Sequence, residues 1–311
     1  MKVFIFPGQG SQQAGMYRLL GNMTDEVKDI FEAASDASHK DVVDLCLKQS
    51  NEVLSLTENT QIVVTAMNLA FYRLLVNRGV EPDLVMGQSL GQFSALVACG
   101  GMSFEEVFAL VTERARMMTE LASESGLYSI LGLSEEKVRA ALATLPEGLD
   151  PVEIALINSK EQIVIGGTVD ALKVAEQKMK EAGAFKVVPA KLNRAFHTCY
   201  MKGMEQAFSD YLDTLHFNEP KCRIILNCAG DYGKTASDLK ADMIAQCCHI
   251  VLWRDCMEKL RGVPDLDVAE VGVGRIMAGI MRNCGFKEKV SLMSDPKEFS
   301  MYVKKTTGGA K

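Results

Sequence analysis

The stretch GQSLGQ, residues 87–92, sets a serine between two glycines, directly after the apolar run DLVM and directly ahead of FSALVA. G-x-S-x-G on a strand-to-helix turn is the pattern of a nucleophile elbow. Its glycines permit the tight turn, and its serine oxygen stands at a helix N-terminus, where free N–H groups favour developing negative charge. Ser89 therefore reads as a nucleophile or as an ordinary serine cap, and the apolar run before it with the helix-forming run after it favour the first. A serine hydroxyl needs a base. The chain has four histidines. His39, in SDASHKD, reads as solvated, whereas His216 (LHF) and His249 (CCHIV) have apolar neighbours and read as hydrogen-bonded core or boundary residues. His197, in NRAFHTCYM, follows an inserted unit at the point where the chain re-enters a larger domain. Clefts between domains favour ligands, and position alone favours His197 over the other three.

Two glycine-rich stretches raise a nucleotide question. FPGQGSQ, residues 6–12, follows an apolar strand but lacks both the G-x-G-x-x-G spacing and a Walker lysine. Its glycine-held N–H groups suit an oxyanion hole beside the elbow instead. GVGRIMAG, residues 272–279, also fails the dinucleotide spacing, and its glycines read as close-packing positions. The nine cysteines are scattered without a C-x-x-C pair, so no zinc or redox motif and no metal site is expected. They read as small buried apolar residues of a reducing compartment. Cys199, two residues after His197, is read the same way.

The elements that must position these residues alternate. KVFIF (2–6), DLVM (83–86), RIILN (223–227) and DVAEVG (267–272) are strand-like; 24–35, 40–50, 61–77 and 90–100 are helical. Ser103 and Glu106 form a capping box ahead of a helix that begins at residue 104. This alternation predicts an α/β fold with a mostly parallel sheet. Residues 126–193 break the rhythm with β-α-β-β-α-β, a ferredoxin-like α+β subdomain. The expected organisation is a large α/β domain over 1–125 and 194–305, the small subdomain inserted over 126–193, and a flexible tail over 306–311.

Hydrophobic residues make up 48% of the 311 and charged residues 24%, with a net charge of −6 and a sequence pI of about 5.4. These values fit a globular protein with a sizeable core and argue against non-specific nucleic-acid binding. No apolar run approaches the ~20 residues of a membrane span, and the start MKVFIFPGQG is too short in apolar length for a signal peptide. A cytoplasmic protein is expected, with no membrane partner.

Four markers fall in order along nearly the whole chain: FPGQGSQ, G-x-SLG, RARMM at 114–118, and AFH at 195–197, followed by EVGVGRIMAGIMR at 270–282. Together they resemble the malonyl-CoA:acyl-carrier-protein transacylases and the related acyltransferase domains of fatty-acid and polyketide synthases. The resemblance implies a hydrolase-like α/β domain carrying a ferredoxin-like insertion. It further implies transfer of malonyl from coenzyme A to the phosphopantetheine thiol of an acyl carrier protein, in fatty acid biosynthesis, by a monomer with no cofactor. Position by position, it makes Ser89 the nucleophile and His197 the base, with the N–H groups of Gln9 and Leu90 as the oxyanion hole. Arg114 becomes the clamp on the malonyl carboxylate, a task that suits a planar guanidinium. Phe196 matches the form that prefers malonyl over methylmalonyl, and Asn158, in INSKEQIVIGG, faces the cleft.

Three positions depart from the family. Gln88 and Gln92 stand where histidine and glutamate are usual, and Leu252, in VLW, stands where VQW is common. The residue at 252 is expected to orient His197, through its carbonyl if leucine is to serve. Lys178, Lys180, Lys186, Lys191 and Arg194 are candidates for contact with an acidic carrier protein. Alternative readings are a stand-alone acyltransferase or acyl hydrolase of a polyketide or malonate decarboxylase system, and a non-catalytic carrier-protein-binding homologue.

Overall fold

Alternate residues of KVFIF face opposite sides of a buried strand. In the computed structural model, which describes residues 1–121, 124–190 and 194–308, this is β1 (Lys2–Phe6). Val3 and Ile5 pack into one apolar cluster with Leu84 and Met86; Phe4 and Phe6 pack into another with Val85. A strand buried on both faces must be apolar at every position, which is why the sequence shows a run and no alternation. Helices Thr57–Val76, Gly91–Ala98 and Phe104–Glu120 contribute to the cluster on one face, and Trp253–Glu258 and Ile276–Asn283 to the cluster on the other.

The remaining strands are β2 (Leu84–Gly87), β3 (Ser125–Leu131), β4 (Glu153–Ser159), β5 (Gln162–Thr168), β6 (Lys186–Pro189), β7 (Arg223–Ile225), β8 (Tyr232–Gly233), β9 (Asp267–Glu270) and β10 (Val290–Leu292). The large sheet runs β10-β9-β1-β2-β7-β8, parallel except for β8. Phe6 lies opposite Gly87 in its register. The loops after β1 and β2, with FPGQGSQ on one and the elbow on the other, therefore leave the same sheet edge, where α/β folds bind ligands.

The small sheet runs β4-β5-β3-β6, antiparallel throughout, with helices Glu135–Leu142 and Val169–Glu181 closing over Ile130, Ile154, Ile163 and Ile165. This is the expected ferredoxin-like order. It opens at Ser125, one residue ahead of the expected boundary. Backbone bonds couple it to the large domain: Val251 N–H donates to Ala155 O at 3.0 Å, and Ile157 N–H donates to Val251 O at 3.0 Å. Arg254 pairs with Glu135 at 2.9 Å across the same seam.

Several boundaries move. Residues 40–50 hold a helix over Val42–Lys48, and a second over Asn51–Leu54 begins where the Ser50 side chain accepts from Val53 N–H. A 3-10 segment, Met16–Val27, leads into helix Lys28–Ser38. The capping box at Ser103 and Glu106 is present. The final helix, Pro296–Thr306, takes in the first residue of the expected tail, and the Thr307 side chain donates to Val303 O. The rest of that tail from 309, like Lys191, lies outside the described residues. Among the described residues no helix is long and apolar enough to cross a membrane.

Gly91 opens the elbow helix so close to β1 that a Cβ there would lie 2.1 Å from Phe6 O. Gly279, within helix Ile276–Asn283, has nothing within 4 Å of the same point. Gly91→Ala is expected to lower unfolding free energy by more than about 2 kcal/mol, because main chain must move. Gly279→Ala is expected to raise it by about 0.5 kcal/mol. Urea unfolding of both variants checks the contrast.

Candidate active site

Ser89 sits just past β2 with φ 50°, in the left-handed region that non-glycine residues seldom occupy. Such a conformation persists only where the surroundings hold it. Here the holder is Asn227, just beyond β7. Its Oδ1 accepts Ser89 N–H at 2.6 Å and its Nδ2 donates to Gly87 O at 2.7 Å, gripping the turn on both sides. Gly8 backs the turn so closely that a Cβ there would lie 2.4 Å from Gln88 O and 3.6 Å from Leu90 N. The loop carrying Gln9 thus runs against the turn carrying Leu90. Among the hydrogen bonds of the described residues, neither the Gln9 nor the Leu90 backbone N–H is engaged.

His197 Nε2 lies 2.7 Å from Ser89 Oγ, and His197 Nδ1 lies 2.7 Å from the main-chain oxygen of Gln246. A carbonyl only accepts, so Nδ1 carries the proton and Nε2 presents its lone pair to the serine hydroxyl. His197 also has a left-handed backbone, φ 64°. The imidazole is 3% exposed. Burial first, and then the charge of Arg114, push its pKa down to about 4, against the raising effect of the Gln246 carbonyl. The other histidines are elsewhere: His39 ends helix Lys28–Ser38 at φ 55°, and His216 and His249 are exposed, contrary to the expected core or boundary setting.

The expected partner of His197 at position 252 is corrected. The Leu252 carbonyl accepts from Asp255 N–H and Cys256 N–H, both at 3.0 Å, as the start of helix Trp253–Glu258. It is committed there, and leucine offers no side-chain acceptor. Gln246, six residues earlier, supplies the carbonyl.

Arg114 is 3% exposed on helix Phe104–Glu120. Its Nη1 donates to Gln61 Oε1 at 2.9 Å and its Nη2 to Gln246 Oε1 at 3.4 Å, while the Phe93 ring lies 5.0 Å away. Burial lowers its pKa to about 10. Among the described residues no carboxylate forms an ion pair with it. A buried guanidinium held only by neutral groups is an unbalanced charge, and a ligand carboxylate would balance it. Arg116, two residues on, pairs with Glu113 and Glu120 on the exposed face of the same helix.

Gln88 Nε2 donates to Asn158 Oδ1 at 2.7 Å, which joins the elbow to β4 of the small subdomain. Phe196 is buried in the main core beside His197. Lys178 and Lys180 pair with Glu181 and Glu176 on their own helix. Cys199 is partly buried, and burial with the nearby Glu153 carboxylate raises its thiol pKa, so it is a poor nucleophile. A cavity of about 440 Å³ opens between the subdomains on the His197 side, bordered by Arg139, Glu153, Cys248 and His249. A slightly larger one, about 480 Å³, lies at the opposite sheet edge near Pro82 and Cys222 and touches none of the paired residues. The chemistry follows the paired groups, not the larger volume. Sequence reasoning missed Asn227, Gln246 and Gln61. Asn227 alone left a signal, as the polar residue ending a strand at the elbow's sheet edge.

Known proteins resemble this chain over most of its length. Residues 3–247 match the family described as acyl transferase domain. A malonyl CoA-acyl carrier protein transacylase of Synechocystis is 33% identical over 281 residues, 90% of this chain and 92% of the relative. The crystal structure of an acyl carrier protein S-malonyltransferase from Vibrio cholerae superposes with a TM-score of 0.90 at 30% identity, covering 96% of this chain and 99% of that one. A malonyl-transacylase solved in complex with a type II polyketide acyl-carrier protein gives 0.92 at 28% identity, covering 98% and 99%. The chain belongs to the acyl transferase domain family, among its malonyl-CoA–acyl carrier protein transacylases.

Proposed function

We propose that the protein moves malonyl from coenzyme A to the phosphopantetheine thiol of an acyl carrier protein through an ester on Ser89, in fatty acid biosynthesis. The observation that carries this reading is the buried Arg114 guanidinium, without a carboxylate of its own, beside a serine–histidine pair in hydrogen-bond contact. Ser89 Oγ attacks the thioester carbonyl as its proton passes to His197 Nε2. The negative charge on the carbonyl oxygen falls to the N–H groups of Gln9 and Leu90. The carbon–sulfur bond breaks and the leaving thiolate takes the proton from His197. In the second half, the carrier thiol gives its proton to His197 and attacks the ester, and Ser89 Oγ regains a proton as it leaves.

The large domain, 1–125 and 194–305, supplies the pair and the clamp, and the 126–193 subdomain closes the cleft through Asn158. Phe196 adds bulk beside His197 and favours malonyl over methylmalonyl. The basic groups Lys178, Lys180 and Lys186 of the subdomain are the surface offered to an acidic carrier. The enzyme works without a resident cofactor, in the cytoplasm, as a monomer. A non-catalytic homologue has no physical reason to hold two strained residues in contact over a buried unpaired cation.

Incubation with malonyl-CoA is expected to add one malonyl group to the chain, located at Ser89 by peptide mass spectrometry; Ser89→Ala is expected to stay unmodified. Arg114→Ala is expected to slow malonyl loading by about 100-fold, the scale for removing one partner of a buried charge pair, while acetyl loading changes far less. Equal losses for the two thioesters would remove the clamp.

The pH dependence has a definite sign. Neutral imidazole is the active form, and His197 keeps it down to about pH 4. The acid limb of kcat/KM, which reports the free enzyme, is therefore expected near 4 and not near the ordinary histidine value. Removing the Arg114 charge favours the imidazolium, so in Arg114→Ala that limb is expected to move to higher pH.

A further inference from the structure

Beneath the elbow lies a carboxylate that the mechanism does not touch. Asp242, on helix Ala236–Ala245, is 5% exposed. Its Oδ1 accepts Cys228 N–H at 3.0 Å and Ala229 N–H at 2.8 Å; its Oδ2 accepts Asn227 N–H at 3.0 Å and Gln92 Nε2 at 2.8 Å. Gln92 turns its Oε1 the other way, where it accepts Asn227 N–H at 3.1 Å and Gln246 Nε2 at 3.0 Å. Gln246 in turn aims its Oε1 at Arg114.

We propose that Asp242 is a positioning residue whose carboxylate sets the direction of a buried hydrogen-bond relay, Asp242–Gln92–Gln246–Arg114, that orients both the serine–histidine pair and the carboxylate clamp. The direction is forced at both ends. A carboxylate only accepts and a guanidinium only donates, so each intervening amide has one permitted orientation. Gln92 and Gln246 are fully buried. Everything that must be placed hangs from this chain. The Gln246 main-chain oxygen holds His197 Nδ1, and its Nε2 also reaches Ser89 O at 3.3 Å and Asn227 Oδ1 at 3.4 Å. Asn227 grips the elbow.

Reversing one link has a calculable consequence. Asp242→Asn keeps its oxygen on the Cys228 and Ala229 N–H groups and turns an amide NH₂ onto both the Gln92 NH₂ and the Asn227 N–H. Gln92 must flip, which turns donors onto Asn227 N–H and Gln246, and a flipped Gln246 then points NH₂ at Arg114. Gln92→Glu sets a second carboxylate against the first. The double variant Gln92→Glu/Asp242→Asn restores the relay: the amide now at position 242 donates to the carboxylate now at position 92, and that carboxylate accepts from Gln246 and from Asn227 N–H, which loses its second acceptor at position 242.

The proposal rests on the acyl-serine reading, and the test separates the two. The rates of malonyl and acetyl loading onto Ser89 are measured from the respective coenzyme A thioesters in the full-length wild type, both single variants and the double, with circular dichroism to count folded protein. Each single substitution is expected to slow malonyl loading per folded chain by about tenfold or more, the scale of one buried unsatisfied polar group, and to lower the malonyl-to-acetyl ratio, which a smaller folded fraction alone leaves unchanged. The double variant is expected to recover loading to within about threefold of wild type, the reversal that strong coupling between neighbours produces. If the single variants do not fold, a double variant that folds and loads supports the relay equally. Single variants that load like wild type, or a double variant no better than either, overturn the relay alone. A wild type that never loads overturns the acyl-serine reading and the relay with it.

Discussion

The contact between Ser89 Oγ and His197 Nε2 joins residues 108 positions apart at 2.7 Å, and the rest of the architecture exists to hold it. Both partners have a left-handed backbone, which costs of order 1–3 kcal/mol at each residue. The cost is offset by groups that over-determine each position. Asn227 spans the elbow, the Gly8 loop backs it, and Gln246 fixes the imidazole ring. The parallel register of β1, β2 and β7 delivers the Gly8 loop, the elbow and Asn227 to a single sheet edge, and the end of helix Ala236–Ala245 brings Gln246 to them, so the strain does not fall on one loop.

The electrostatics follow from the same burial. A carboxylate beside His197 would raise its pKa and charge the ring; a backbone carbonyl orients it without adding charge. Burial first, and then the Arg114 charge, act in the opposite direction and keep the ring neutral. Under the proposed clamp, a substrate carboxylate paired with Arg114 would offset that positive charge and make His197 a stronger base.

Much of this was legible in the sequence, and the failures have physical causes. Apolar runs such as KVFIF mark strands buried on both faces, and the change of rhythm after residue 125 marks the ferredoxin-like insertion. The elbow was legible because glycine is required where strand, turn and helix crowd together. Arg114 was not: RARMM at helical spacing reads as a solvated face, and only the family resemblance singled out the inward arginine from Arg116. Leu252 was misassigned because a main-chain carbonyl carries no side-chain signature. Whether it orients a histidine or starts a helix depends on backbone direction. The departures at Gln88 and Gln92 read as losses in isolation, yet each amide has found partners, in Asn158 and in Asp242. Long-range polar networks of this kind have no period along the chain.

If one cleft assembles a nucleophile able to hold an acyl group until a thiol arrives, rapid-quench mixing with malonyl-CoA in the absence of any carrier protein will show it. A burst of free coenzyme A equimolar with the protein is expected, then a stall that ends only when a phosphopantetheine thiol is added. Steady release of coenzyme A without an acceptor, or no burst at all, would contradict it.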